Sequence, residues 1–238
     1  MKYFIDRIDF VGEKTPCDFK GNGGNHYLHK GIARILRDEN GREYVAGPTC
    51  AEKNTFDTNW GEKVPDFTKG AILIVTPTGP NVGSGGGASS HEDHDEDEIK
   101  NLDDFAISYL RLRMEKLRAL GFFRAKFEPF NPYYEQWKST RKLDEKSRRH
   151  IVNTDQSQRK KAEPFYMERL QKCYATAFFI DHALRHPLSA SDSKYLKDYR
   201  SALTKTYYLS VEEINKLKEI VSRINDPWFK KVELGYFE

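Results

Sequence analysis

The sequence predicts an α+β fold: a β-rich N-terminal module with a ribbon-like hairpin (residues 1–78), a Gly-rich and acidic flexible linker (79–100), and a mainly helical module (101–238). Three observations carry this reading. β-prone residues dominate the first third of the chain and flank one Asn-Gly pair. A glycine run without apolar period then interrupts the chain. From Leu102 to Ile224 apolar residues recur at spacings of three and four, the period of helices with one buried face. The 238-residue length suits one large domain or two small ones, and the 13% aromatic content supplies area for a core in an otherwise polar chain.

Taken in order, Tyr3, Ile5, Ile8 and Phe10, with Val11, form a strand pattern with one break in its alternation. Residues 32–37 and 42–46 flank Asp38-Glu39-Asn40-Gly41, and the Asn-Gly pair predicts a tight type I′ hairpin because both positions of that turn need positive φ. Ala71 to Thr76, ended by Pro77, reads as another strand. The glycine-rich run from Thr78 to Ser90 lacks the Gly-Lys-Ser/Thr end and the following helix of a phosphate-binding loop, so it reads as linker, extended by the acidic block 91–98. Asn101 is the expected cap of a helix carrying Leu102, Phe105, Ala106, Tyr109, Leu110, Met114 and Leu117 and closed by Gly121. An aromatic segment broken by Pro129 and Pro132 follows, then a basic stretch too polar for a buried helix. Pro164 is placed in the first turn of a helix with Phe165, Leu170, Cys173, Tyr174 and Ala177, and Tyr195 to Leu203 mark the next. Ser210 and Glu213 form a capping box ahead of Ile214, Leu217, Ile220 and Val221, and Asn225-Asp226-Pro227 stops that helix.

Charge and composition narrow the function classes. The net charge is only +3, from 39 basic and 36 acidic residues, but the signs are segregated into the acidic block and a basic stretch over 141–161. No apolar run approaches the roughly 20 residues that span a bilayer, and Asp6 and Arg7 stand where a secretory signal needs its apolar stretch. Cys17, Cys50 and Cys173 are too few and scattered for a disulfide framework. The expectation is a cytoplasmic protein without a membrane partner.

Two groups of residues point to chemistry. Cys17, His26, His29 and Cys50 place four soft or borderline ligands around one hairpin, a set suited to zinc, although no Cys-x-x-Cys knuckle is present and an ordinary loop histidine pair with two thiols is the competing reading. The run 32–53, with Val45-Ala46-Gly47-Pro48-Thr49-Cys50-Ala51, resembles the distal half of small zinc-ribbon modules of uncharacterised phage and mobile-element proteins, in which a Val-Gly-x-x-Cys-Ala element opens a short helix. Tyr208-Leu209-Ser210-Val211-Glu212-Glu213-Ile214 is similar to a Leu-Ser-x-x-Gln-type helix start in such proteins. The resemblance implies a phage-like accessory protein whose ribbon lacks one knuckle cysteine.

The second group is cationic and aromatic: Arg124, Lys126, Lys138, Arg141, Lys142, Arg148, Arg149, Arg159, Lys160 and Lys161 beside Tyr133, Tyr134 and Trp137. Cations suit phosphates and exposed aromatics suit unpaired bases, so DNA or RNA is the expected partner. The competing reading is a protein-interaction module that modulates a host nucleic-acid enzyme through the acidic block and exposed aromatics. Hints of catalysis are incomplete: His91 and His94 among carboxylates, Cys50 with a nearby histidine, Pro65-Asp66 with Lys69. His182 and His186, one helical turn apart, have metal-ligand spacing but read more simply as helix surface.

Overall fold

The computed structural model describes residues 3–12, 14–20, 24–28, 30–55, 64–73, 94–230 and 232–237. It is α+β: a small antiparallel sheet at the N-terminus and a mostly helical remainder. Strands β1 (Tyr3–Phe10), β4 (Ile32–Asp38) and β5 (Glu43–Ala46) form a sheet ordered β1-β4-β5. Short strands β2 (Thr15–Pro16) and β3 (Tyr27–Leu28) pair beside it. In β1, Ile5 pairs with Leu36 and Arg7 with Ile35, so Asp6 is the extra residue of a bulge. The bulge falls on the break in alternation and brings Asp6, Arg7 and Asp9 into one ionic cluster.

The hairpin forms as expected but with a different turn. Gly41 N–H donates to the Asp38 carbonyl (3.0 Å) and Asp38 N–H to the Arg42 carbonyl (3.1 Å). Gly41 alone in this loop has positive φ (+83°). The loop is therefore three residues long with a glycine bulge, not a two-residue type I′ turn. The Asp38 carboxylate stabilises the longer loop by accepting from the Asn40 and Arg42 amides (2.9 and 3.0 Å) and from the Tyr44 hydroxyl.

Helix α1 (Pro48–Asn54) leaves the sheet with proline in its first turn. A 3₁₀ turn (Phe67–Gly70) follows Asp66, which caps it by accepting from Thr68 N–H (2.9 Å) and Oγ1 (2.7 Å). Strand β6 (Ala71–Leu73) pairs with β7 (Val232–Leu234), so a strand expected to belong to the N-terminal module joins the C-terminal end. Residues 74–76 of the expected strand, and the linker as far as residue 93, lie outside the described residues.

Helix α2 (His94–Arg111) begins well before the cap expected at Asn101 and takes in the second half of the acidic block. It runs through a π-helical turn (Leu112–Lys116) into α3 (Leu117–Ala119), and Gly121 takes positive φ just beyond. Helix α4 (Asn131–Thr140) carries the end of the aromatic segment, Tyr133, Tyr134 and Trp137, after two 3₁₀ turns (Phe123–Ala125 and Glu128–Phe130). The basic stretch forms α5 (Glu145–Lys160), capped by Asp144 and held by an inner face that includes Ser147, Ile151 and Thr154. Helix α6 (Met167–Ala183) starts three residues after Pro164, because Tyr166, extended at φ −90° and ψ 156°, is its cap. Helices α7 (Ala190–Thr206) and α8 (Val211–Ser222) complete the bundle, α8 with the expected reciprocal Ser210–Glu213 capping box.

Buried charge joins the sheet to the helices. Arg111, 1% exposed, donates to the Asp6 carboxylate (2.8 Å) and to the Asp6 carbonyl (3.0 Å) and pairs with Glu115. Its guanidinium also lies over the rings of Trp137 (4.7 Å) and Phe67 (5.7 Å). Asp9 accepts from Lys116 Nζ (2.6 Å), Arg7 Nε (3.0 Å) and the Tyr174 hydroxyl (2.7 Å). Arg7 in turn forks onto Glu43 at 2.7 and 2.8 Å. Burial pushes the Asp6 carboxyl up, but Arg111, with Arg7 and Arg37, overrides it and holds the pKa at about 2.

Removing one member of this cluster strands the others in a dry environment. Arg111→Ala is expected to cost about 3–5 kcal/mol in denaturant unfolding. Asp6 has a depressed folded-state pKa, so its contribution is complete above the ordinary value near 3.8 and is lost as pH falls through about 2. Asp6→Asn should flatten that acid limb of the stability profile.

Candidate metal centre and cationic surface

The β2–β3 pairing sets Thr15 against Leu28 and Pro16 against Tyr27, which brings the next residue, Cys17, beside His26. The Cys17 N–H donates to the His26 carbonyl (3.0 Å), closing that loop. Cys50 arrives from the first turn of α1, 33 positions from Cys17 but beside it in space. One ligand atom from each of Cys17, His26 and Cys50 lies within 4.8 Å of the other two. Cys50 Sγ and His26 Nε2 are 3.4 Å apart, near the roughly 3.6 Å edge of a tetrahedron with zinc–sulfur and zinc–nitrogen bonds. Topology thus assembles three of the four expected ligands without a knuckle. His29 lies outside the described residues.

The surroundings fit a metal better than a catalytic thiol. Burial, then the Cys17 thiol, pushes the Cys50 thiol up, opposite to the activation of a nucleophilic cysteine. His26 Nδ1 is buried with no hydrogen-bond partner among the described residues. The two cysteines belong to a small core with Leu28, Ala33, Ile35, Leu36, Ala46 and Ala51. Small side chains bury little area, so a metal bound there would add comparatively much to folding. His26 and Cys50 also border a cleft of about 540 Å³ whose wall includes Arg34, Asp66 and Thr68.

The cationic-aromatic segment is divided differently from the expectation. Trp137 is 5% exposed, its indole covered by Arg111 and by Arg141, whose guanidinium lies 4.5 Å from the ring. It is a core residue and offers no face to a base. Tyr134 stacks beside it and Tyr133 hydrogen-bonds His150 (2.8 Å), both half-buried against the main core. The cause is the Pro129–Pro132 stretch, which turns the chain into α4 and lays its aromatic face against the helical core.

Many of the cations are already engaged. Lys126 pairs with Glu128 (2.8 Å), Lys138 with Glu135 (3.2 Å), Arg141 with Asp6 (3.7 Å), Arg148 with Asp103 (3.6 Å), Arg149 with Glu145, and Arg159 with Glu168 (3.5 Å). Arg124 donates to the Lys205 carbonyl (3.5 Å). Lys142, Lys160 and Lys161, with Lys146, are exposed and form no ion pair among the described residues.

Sequence reasoning missed two clusters. The Asp6–Arg111–Asp9 network left only the alternation break as its trace. His182 is buried, not helix surface: its Nε2 lies 2.8 Å from Asp226 Oδ2, and His186 Nε2 lies 3.1 Å from the same oxygen. Asp226 had been visible only as part of a helix stop. No helix among the described residues is long and apolar enough to cross a membrane.

Since Trp137 is packed in the core, Trp137→Ala is expected to cost about 3–5 kcal/mol in urea or guanidinium unfolding. A stability change below about 0.5 kcal/mol, the scale of an exposed substitution, would show that the indole lies outside the core. Comparison with protein-family models, curated proteins and solved structures finds no match to this chain.

Proposed function

We propose that the protein is a nucleic-acid-binding accessory protein of the phage or mobile-element kind, which contacts phosphates through the outer face of α5 and uses zinc to hold a ribbon-like N-terminal module. The observation that carries the reading is the exposed stripe Lys146, Arg149, Asn153, Gln156 and Lys160. Its steps of three and four residues keep all five side chains on one side of the helix. No carboxylate lies within the stripe, Glu145 standing at its edge as the partner of Arg149. Lys161 and Lys142 extend the positive charge at either end.

Cations so placed neutralise phosphates and release counterions, and the amides between them can donate to phosphate oxygens or base edges. Because the indole of Trp137 is covered, the reading favours backbone contact over base stacking. Zinc matches the donor set of two thiols and one imidazole, with His29 as the fourth donor the sequence offers.

Fluorescence anisotropy of labelled single- and double-stranded DNA and RNA tests the reading. Four phosphate contacts predict a loss of affinity of about a hundredfold between about 50 and 200 mM salt. Replacing Lys146, Arg149, Lys160 and Lys161 with alanine should flatten that dependence. Absence of binding at low salt would sink the proposal and turn attention to a protein partner.

The zinc assignment has its own test. Metal analysis of the purified protein should find zinc that Cys50→Ser loses. Because thiols must lose protons to coordinate, zinc affinity should fall by up to about a hundredfold per pH unit on acidification, two protons being displaced.

A further inference from the structure

A second cluster lies where the end of α6 meets the turn after α8. His182 sits in the last turn of α6, His186 lies four residues later in the turn beyond the helix, and Asp226 caps the 3₁₀ turn Pro227–Lys230 by accepting from Trp228 N–H through Oδ1 (2.8 Å). The other oxygen, Oδ2, faces both imidazole Nε2 atoms at 2.8 and 3.1 Å. We propose that His182, His186 and Asp226 form a binding site for a divalent transition-metal ion, of the zinc, cobalt or nickel class, distinct from the cysteine centre and acting as a clamp on the C-terminal segment.

Four features support the site. Two imidazoles and one carboxylate are a donor set that borderline divalent metals take. The two Nε2–Oδ2 separations are near the edge of about 3.0 Å between neighbouring ligands of an octahedron with bonds of about 2.1 Å, and a tetrahedral zinc would need them to open to about 3.4 Å. The ligands are held in place: the His182 ring lies 4.6 Å from that of Trp228 and parallel to Phe178, and the Trp228 amide orients the carboxylate from its far oxygen. His186, with a side chain 27% exposed, leaves a way in for the ion and room for water ligands.

The position gives the ion a structural consequence. Trp228, two residues from the proposed ligand Asp226, donates from Nε1 to the Lys30 carbonyl (3.1 Å). It packs so closely on Gly31, itself at φ +63°, that a Cβ there would lie 2.3 Å from the indole nitrogen. An ion shared by α6 and this turn therefore stabilises the seat of Trp228 against the N-terminal sheet.

The test is equilibrium dialysis of the metal-stripped full chain against zinc, with cobalt(II) spectra in parallel. Wild-type protein should bind two equivalents, one cobalt ion showing thiolate charge-transfer absorption and the other lacking it. His186→Ala, at a partly exposed position, should remain folded by circular dichroism and bind one equivalent, keeping the thiolate band. Its affinity at the lost site should fall by about a hundredfold or more. Asp226→Asn, which retains the oxygen that caps Trp228, should lose the same equivalent. Zinc should also raise the melting temperature more for wild type than for His186→Ala.

Equal stoichiometry and affinity in wild type and His186→Ala would overturn the proposal, and a surviving thiolate band would then leave the cysteine centre standing. Loss of an equivalent in His186→Ala without any thiolate band would uphold this site and remove the cysteine one.

Discussion

The bulge at Asp6 is the constraint on which the joint between sheet and helices depends. A regular strand would place Asp6 on the face opposite Arg7 and Asp9. The extra residue lets all three enter one cluster, where Asp6 meets Arg111 and Asp9 meets Lys116 and Tyr174. Arg111 stays charged at any ordinary pH, so a guanidinium 1% exposed demands matching acceptors. The Asp6 carboxylate and carbonyl, Glu115 and two aromatic faces supply them. A wholly apolar junction could be as stable, but it would tolerate a slipped strand. The charged one does not, since moving β1 by one residue would separate every pair at once.

With β1 held in this way, the rest of the N-terminal region is organised around β4. One small core collects Cys17, Cys50, Leu28, Leu36 and four alanine or isoleucine side chains, while Phe10 at the end of β1 enters the larger helical core against Tyr174, Phe178 and Trp228. The division sets on which side a bound metal would matter more. The helical core is rich in leucine and large aromatics, whereas the cysteine core is mostly small side chains flanked by the Tyr3, Phe19 and Tyr44 rings. Burial supplies less stability in the second, so a metal held by its cysteines would add comparatively much there.

How much of this was legible depends on how local each signal is. The Ser210–Glu213 box needs only four consecutive residues, and it forms as read. The hairpin and the stripe from Leu102 to Leu117 are likewise short-range patterns. The type of the turn was not legible, because Asp38 decides it by stabilising a longer loop with its own carboxylate. Nor was the start of α2 inside the acidic block, where a charge run argued against order. Pairing of β6 with β7, separated by most of the chain, leaves no periodic trace at all. The metal centre stands between these cases: residue types nominated Cys17, His26 and Cys50, but their meeting rests on the β2–β3 register and on where α1 begins. Asp226 was the least visible of the ligands, because its cap on Trp228 reads in sequence as a plain helix stop.

The same distinction governs the cationic surface. Composition counts every lysine and arginine in 124–161 alike, yet the fold assigns them different tasks. Arg141 covers Trp137, Arg148 reaches Asp103 on α2, and Arg159 lies over Tyr166, so these cations hold the helices together. Lys142, Lys146, Lys160 and Lys161, without an ion pair among the described residues, are left facing away from the core. The inner face of α5 is seated by Ser147, Ile151, Thr154 and Asp155, whose carboxylate accepts from the Met167 amide at the start of α6, and the outer turns carry Lys146, Arg149 and Lys160. Charge that the packing of α5 does not use therefore collects on its outer face, at Lys146 and Lys160.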